Sequence, residues 1–484
     1  ANVVLANKMV IENGATLRTA AAVTTNSPIK FETEAGGIIE NPNDFTANKT
    51  LSGTVAYKKG GGTLILTNNN TSLNKLVVVA GTVKNQAITI PAKMVELQGG
   101  TLTESSSTSY AISVAKGKSA TWNLAERNSY TNKITGEGTL SIYCPLVSGG
   151  SWMAPRTHVK CNMSEFEGTI KPQMPYKDNR FTLDNSYGLP KATMDIPEGM
   201  EVQNTGKVFA IGKVTGTGAL GGLVDFGNGV SGYNTWKVGN ETNYRWSGKV
   251  TGTSTAFVKI GSGKLTAGAG WDNTGSVKVA EGELCLTSGN VIGTGAVTVD
   301  KDARLSGVTG TTALTNSSFT INGELVVGAF ANATSGKINF GGKNVTISST
   351  GKYVVGKGSY SNTTIENVNT LTINGTIEVM LASSYTPKDG DVLTLWTANH
   401  FAGTPNYVLP NLPLGMAWDM SKISEGKLTI VSDPTAIGVV PFGAKYGHND
   451  IYDLKGQLVR KNATSTEGLP SGVYFRNGKK IVVK

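Results

Sequence analysis

Apolar residues along this chain return at every second position in short bursts. Examples are "TLILT" (63–67), "KLVVV" (75–79) and "SVKVAEGELCL" (276–286). Period-two alternation predicts strands with one buried face, and Val, Ile and Leu supply that face. The bursts are three to five residues long, with Gly, Asn, Ser and Thr between them. At about 3.3 Å per residue they make strands of roughly 10–17 Å. In "SVKVAEGELCL", Val277, Val279, Leu284 and Leu286 are expected to point inward and Lys278 and Glu283 outward.

The bursts recur at a fixed interval. Gly62 to Gly81 is 19 residues, Gly81 to Gly100 is 19, Gly100 to Gly138 is 38, and Gly263 to Gly282 is again 19. Self-similarity at this period marks a solenoid. Leucine-rich, ankyrin and tetratricopeptide units are excluded, because they need helical segments that the pattern does not contain. One period therefore reads as one coil of a parallel β-helix. Each coil pairs with the coils before and after it, and alternate side chains fill an apolar bore. The recurring glycine belongs at a corner where a Cβ would obstruct the turn, and Asn68, Asn69 and Asn70 suit another turn.

Composition agrees with many strands and turns: 61 Gly among 484 residues, and 16% charged. A net charge of +10 would favour nucleic acid if the cations clustered, but lysines fall singly outside the terminal "RNGKKIVVK", so no nucleic-acid partner is expected. No apolar run reaches the roughly 20 residues of a membrane helix. The opening "ANVVLANKMVIENGATL" starts in mid-pattern without a signal peptide, as expected of a processed or truncated chain. Three cysteines, Cys144, Cys161 and Cys285, form no C-x-x-C pair, and a Cys144–Cys161 bridge is an open alternative.

Residues 257–307, "FVKIGSGKLTAGAGWDNTGSVKVAEGELCLTSGNVIGTGAVTVDKDARLSG", resemble the autotransporter-associated β-strand repeat of bacterial surface passenger domains, and residues 57–83 resemble a second copy. That resemblance implies a right-handed β-helical surface protein and names no ligand. Residues 144–200 carry more prolines and read as longer loops or distorted coils. The C-terminal stretch has Tyr452-Asp453, Gly456, Val459, Gly468-Leu469-Pro470, Gly472, Tyr474 and Lys479-Lys480. It resembles the sorting domain of type IX secretion in Bacteroidetes, although it is short for that pattern. The resemblance implies recognition by the secretion machinery and export to the outer surface of a Gram-negative bacterium.

The expected organisation is all-β: a right-handed parallel β-helix over 1–375, a cap over 376–432 with Trp396, Phe401 and Trp418 closing the bore, and a small β-sandwich over 435–484. Candidate chemistry is sparse. Asp225, Asp272, Asp300 and Asp302 do not recur at coil spacing, as stacked catalytic or Ca²⁺-binding carboxylates would, and Asp389 and Asp391 read as a turn. His158, His400 and His448 belong to no metal motif, so neither metal nor cofactor is expected. The G-x-G-x-x-G match at Gly216, Gly218 and Gly221 lacks a βαβ context and reads as a coincidence in a glycine-rich chain.

The strongest ligand candidates are Tyr233, Trp236, Tyr244, Arg245 and Trp246, joined by Trp271 one coil later. Aromatics beside amides and a guanidinium suit sugar faces or protein hot spots. The same rings read more readily as structural ladders stacked on successive coils. The functional expectation is a non-enzymatic, secreted or surface-held adhesin-like β-helix binding glycans or host surface proteins. The alternative is a polysaccharide lyase or hydrolase, or the non-catalytic stalk of one.

Overall fold

Coils pair where the sequence repeats. In the computed structural model, Leu64, Val83 and Leu102 sit in direct register on neighbouring parallel strands, and Leu265 pairs with Leu284 in the same way. Residues 2–3, 8–68, 72–86, 92–145, 157–174, 180–184, 186–204, 208–222, 234–328, 335–433, 449–454, 456–476 and 479–483 are described. The chain is all-β, a parallel β-solenoid of about 16 turns. One sheet of 19 strands runs along it from Asn2–Val3 to Trp396–Ala402. The other faces are shared by shorter ladders of nine, six and eight strands that cover successive, overlapping lengths.

The interval is 19 residues in the copies the glycines mark, but it is not fixed elsewhere. Val297 pairs with Phe319 at 22 residues, Phe319 with Val345 at 26, and Leu140 with Ile170 at 30. Extra residues leave at the corners while the paired strands keep their places, because only the strands must meet carbonyls one coil away. Val277, Val279, Leu284 and Leu286 are inside, as the alternation predicts. At the corners, Gly81 and Gly282 have φ of +70° and +62°. A Cβ on either would lie 2.3 Å and 2.5 Å from the carbonyl oxygens of Gly60 and Gly261 on the preceding coil. Asn69 and Asn70 lie outside the described residues.

Two lysines occupy bore positions where the next coil carries valine: Lys58 pairs with Val78, and Lys259 with Val279. Both are fully buried. Lys58 Nζ donates to the carbonyls of Lys59 (2.9 Å), Gly60 (2.8 Å) and Ala80 (3.1 Å). Lys259 Nζ donates to Ile260 (2.7 Å), Gly261 (2.7 Å) and Glu281 (3.2 Å). In each case the last acceptor belongs to the following coil, so one ammonium ties two corners together. Burial pushes both amines down to about 8, which leaves them protonated at neutral pH.

A carboxylate also lies in the bore. Glu104 accepts from the Tyr110 hydroxyl, from Asn85 Nδ2 at 2.9 Å and from Trp122 Nε1 at 3.4 Å. Burial raises its pKa from 4.5 to about 6 against the lowering effect of these donors. On the outside, Glu283, Arg304, Glu324, Lys352 and Glu378 alternate in sign along the axis. Arg304 lies 3.6 Å from Glu283 and 2.6 Å from Glu324, and Lys352 lies 2.8 Å from Glu324 and 3.1 Å from Glu378.

Parallel stacking continues past residue 376: Thr376–Leu381 and Asn406–Val408 pair with each other, and Trp396–Ala402 extends the long sheet. An antiparallel sheet of Val392–Thr394, Lys427–Ser432 and Met416–Asp419 accompanies this end. Trp396 is buried and stacks on Phe401 at 4.7 Å, while Trp418 packs on the core and donates to the Pro410 carbonyl at 2.9 Å. Cys144 and Cys161 are free buried thiols, so the bridge left open by the sequence is not formed. Cys161 Sγ faces the Tyr130 carbonyl at 3.4 Å. The described residues from 449 to 483 form one four-stranded antiparallel sheet around Ile451, Ala463 and Tyr474.

Two predictions follow from the bore. Lys259→Met keeps the apolar stem and strands three carbonyls, at a cost of about 3 kcal/mol. Amide exchange should accelerate around 259–283 and not in distant coils. For Glu104, the native state holds its proton more tightly than the unfolded chain. Its stabilising contribution, about 2 kcal/mol, is therefore complete below pH about 4.5 and lost as pH rises through about 6. Exchange protection of the coils around residue 104, followed from pH 4 to 8, should fall across that window in the wild type and stay flat in Glu104→Gln.

Candidate functional site

The strand Asn234–Val238 alternates strictly: Asn234, Trp236 and Val238 face the bore, while Thr235 and Lys237 face out. Trp236 and Trp246 are 0% exposed and Trp271 is 2% exposed. Their rings form an internal ladder. Phe209 lies 5.6 Å from Trp236, Trp246 lies 6.1 Å from Trp271, and Phe257 lies 4.6 Å from Trp271, centroid to centroid. No indole face is open to a sugar. Tyr244 is partly buried, with Lys213 Nζ 5.4 Å above its ring. Arg245 is exposed, and its Nη2 reaches the Gly268 carbonyl at 3.4 Å. Tyr233 lies outside the described residues. The sequence thus brings the tryptophans together, but inside the wall.

Their position still bears on function. Trp236 Nε1 and Asn234 Nδ2 both donate to the Gly221 carbonyl, at 3.0 and 2.8 Å. Gly221 belongs to the strand Ala219–Gly222, which runs between Glu201–Asn204 and Lys249–Val250. Val202, Leu220 and Val250 face inward and are buried. The middle strand therefore turns only Ala219 and Gly221 outward, in register with Glu201 and Lys249 at 219 and with Gln203 at 221. At Gly221 the space left by the missing side chain is taken by Glu201, and Gln203 beside it is 0% exposed.

A cleft of about 510 Å³ opens beside Ala219, lined by Glu201, Gly222, Lys249, Thr251 and Asp272 and by Thr217, Thr253 and Thr274. Its size falls in the range of small-ligand sites, about 300–1,000 Å³. Glu201 leans across the floor: a Cβ on Gly221 would lie 2.3 Å from its carboxyl carbon. The carboxylate accepts from Gln203 Nε2 at 2.6 Å and from Thr251 Oγ1 at 3.0 Å. At the rim, Lys249 Nζ lies 3.3 Å from Asp272 Oδ2. The site thus offers threonine hydroxyls beside charged groups already held by their neighbours, a set suited to polar ligands.

Sequence reasoning set this floor aside, because "GTGALGG" registers as a nucleotide motif and fails that test. The usable signal was two small residues at successive outward positions of a strand. The other candidates resolve into structural roles. Asp300 pairs with Lys278 at 2.7 Å, Asp391 accepts from Tyr385 at 2.6 Å, and Asp389 accepts from the Ser432 amide at 2.6 Å. His158 lies 3.4 Å from Asp184 and His400 is exposed, while Asp225 and His448 lie outside the described residues. No group of three potential metal ligands occurs among the described residues.

In the C-terminal sheet, Gly468 has φ +77° and Tyr474 donates to the Pro470 carbonyl at 2.9 Å. Leu469 packs on the small core, Gly472 pairs with Val483, and Lys479 and Lys480 pair with Arg476 and Phe475.

Trp236→Phe preserves the ring ladder and deletes one of the two donors to Gly221, at a cost of about 1 kcal/mol, whereas Trp236→Ala costs about 3–5 kcal/mol. Amide exchange at 219–222 should rank the variants in that order. Equal effects would show that the indole does not hold the cleft floor. Against protein families and curated proteins, no family model and no curated protein matches the chain.

Proposed function

We propose that the protein is a non-enzymatic, extracellular solenoid of adhesin type, held at or released from the outer surface of a Gram-negative bacterium, which binds glycans or host surface components on its flank. About 16 turns at about 4.8 Å per coil make a rod of roughly 75 Å, a scaffold suited to presenting a lateral site away from a surface. The observation that carries the reading is the cleft: its charged groups are already engaged with neighbours, and hydroxyls dominate the remainder. Such a site recognises polar ligands and has no evident group to transfer.

The resemblance of residues 57–83 and 257–307 to autotransporter-associated repeats, and of the C-terminus to a sorting domain, supports the surface assignment. The C-terminal sheet exposes Leu458, Phe475 and Val482 at 50%, 38% and 60%, an apolar face that export machinery could grasp.

The test is to present the purified chain to arrays of glycans, mucins and matrix proteins while assaying pectins and host glycans for new reducing ends or unsaturated uronides. Retention on at least one class without product is expected. Product release would make it an enzyme, and neither retention nor product would leave a spacer.

A further inference from the structure

We propose that the outer face of the C-terminal four-stranded sheet docks on an anionic lipid surface. This deepens the surface reading above by naming what holds the protein there, and it is independent of ligand binding on the solenoid flank.

The two faces of the sheet are unlike. In an antiparallel ladder, residues directly opposite each other point to the same side. Ile451 and Tyr474 turn to one side, where they are buried with Ala463 and pack on Leu469. The register places Leu458, Tyr452, Phe475 and Lys480 in one row across all four strands on the other side, with Val473 opposite Val482 beside them. Leu458, Phe475 and Val482 are exposed, and so is Lys480. The result is an apolar face with an ammonium at its edge.

Charge points to what covers it. Residues 449–484 carry seven Lys or Arg against three Asp or Glu. Arg460 and Arg476 donate to the carbonyls of Glu467 at 2.8 Å and Ala463 at 3.5 Å, so neither is neutralised by a carboxylate. A complementary surface is therefore apolar and negative at once. A leaflet with anionic headgroups is both: the apolar side chains enter the boundary between headgroups and acyl chains, and the long stem of Lys480 lets its ammonium reach the phosphates. Either attraction alone gives weak binding, whereas the two together hold.

A second copy of the chain fits less well. Four strands about 4.8 Å apart and at most five residues long make a face of roughly 19 by 17 Å, about 320 Å². Stable protein pairs bury about 800 Å² on each partner. Two copies face to face would also set Lys480 and a basic surface against their like.

Cosedimentation of the full chain with phosphatidylcholine vesicles, with and without phosphatidylglycerol, tests the proposal. Retention on the anionic vesicles is expected to be about tenfold or more above that on phosphatidylcholine alone, and to fall by a similar factor in high salt. Leu458→Ser combined with Val482→Ser removes apolar area outside the small core and should weaken retention about tenfold. Lys480→Gln should weaken it about fivefold. Tyr360→Ser, at a fully exposed aromatic on the solenoid, should change nothing. Amide exchange over 451–476 establishes that the sheet is folded in each variant, and Lys480→Gln decides the matter if the double variant is not. Equal retention on both vesicles, or retention indifferent to these substitutions, would overturn the proposal. Absence of retention would overturn it too, assigning the face to a second copy if the chain forms a dimer that the double variant dissolves, and to a protein partner if it does not. Binding on the glycan, mucin and matrix arrays without vesicle retention would remove the lipid docking alone, and vesicle retention with silent arrays would remove only the role of the flank.

Discussion

Everything in this molecule follows from coil-to-coil hydrogen bonding. A parallel solenoid satisfies each strand amide with a carbonyl one coil away, so every turn must return the chain to the same place whatever its length. Intervals from 17 residues (Met94 to Ala111) to 31 (Ile365 to Trp396) are tolerated because the extra chain leaves at corners, where no ladder bond is at stake. The corners carry the cost of this regularity. Gly81 and Gly282 turn left-handed against the backbone of the coil before, and the ammonium groups of Lys58 and Lys259 gather carbonyls from two coils at once.

The bore is consequently less uniform than an apolar filling requires. Lysine at two valine-type positions and glutamate among Tyr110, Asn85 and Trp122 are buried polar groups that survive because each meets several partners. Buried charge with full hydrogen bonding fixes geometry more than it adds stability. Here it marks particular coils: the two lysine pins sit in the two segments whose repeats are most alike. The outer alternation from Glu283 to Glu378 acts at the opposite surface, where a slip of one coil would place like charges together.

The cleft arises from the same geometry by omission. Each strand of a parallel wall presents every second side chain outward, so a strand with only Ala219 in such a place, flanked by Gly218 and Gly222, leaves room for a cleft bounded by its neighbours. The large aromatics are spent inside the wall, beneath that cleft. Their burial was available in the sequence, since Trp236 is in phase with Val238 in "NTWKV" and Trp246 is out of phase with Arg245. Residue type left a surface site as the lesser alternative to a ring ladder, and the phase of the strands decides for the ladder.

The sequence by itself determined the class of fold, the inward and outward faces of individual strands, the glycine corners and the 19-residue copies, because all of these depend on residues close together along the chain. Tertiary structure alone decided which strands lie side by side, since corner lengths vary and register is settled by pairing across coils. That is why Glu201, Ala219 and Thr251, up to 50 positions apart, could be recognised as one site only after the coils were stacked.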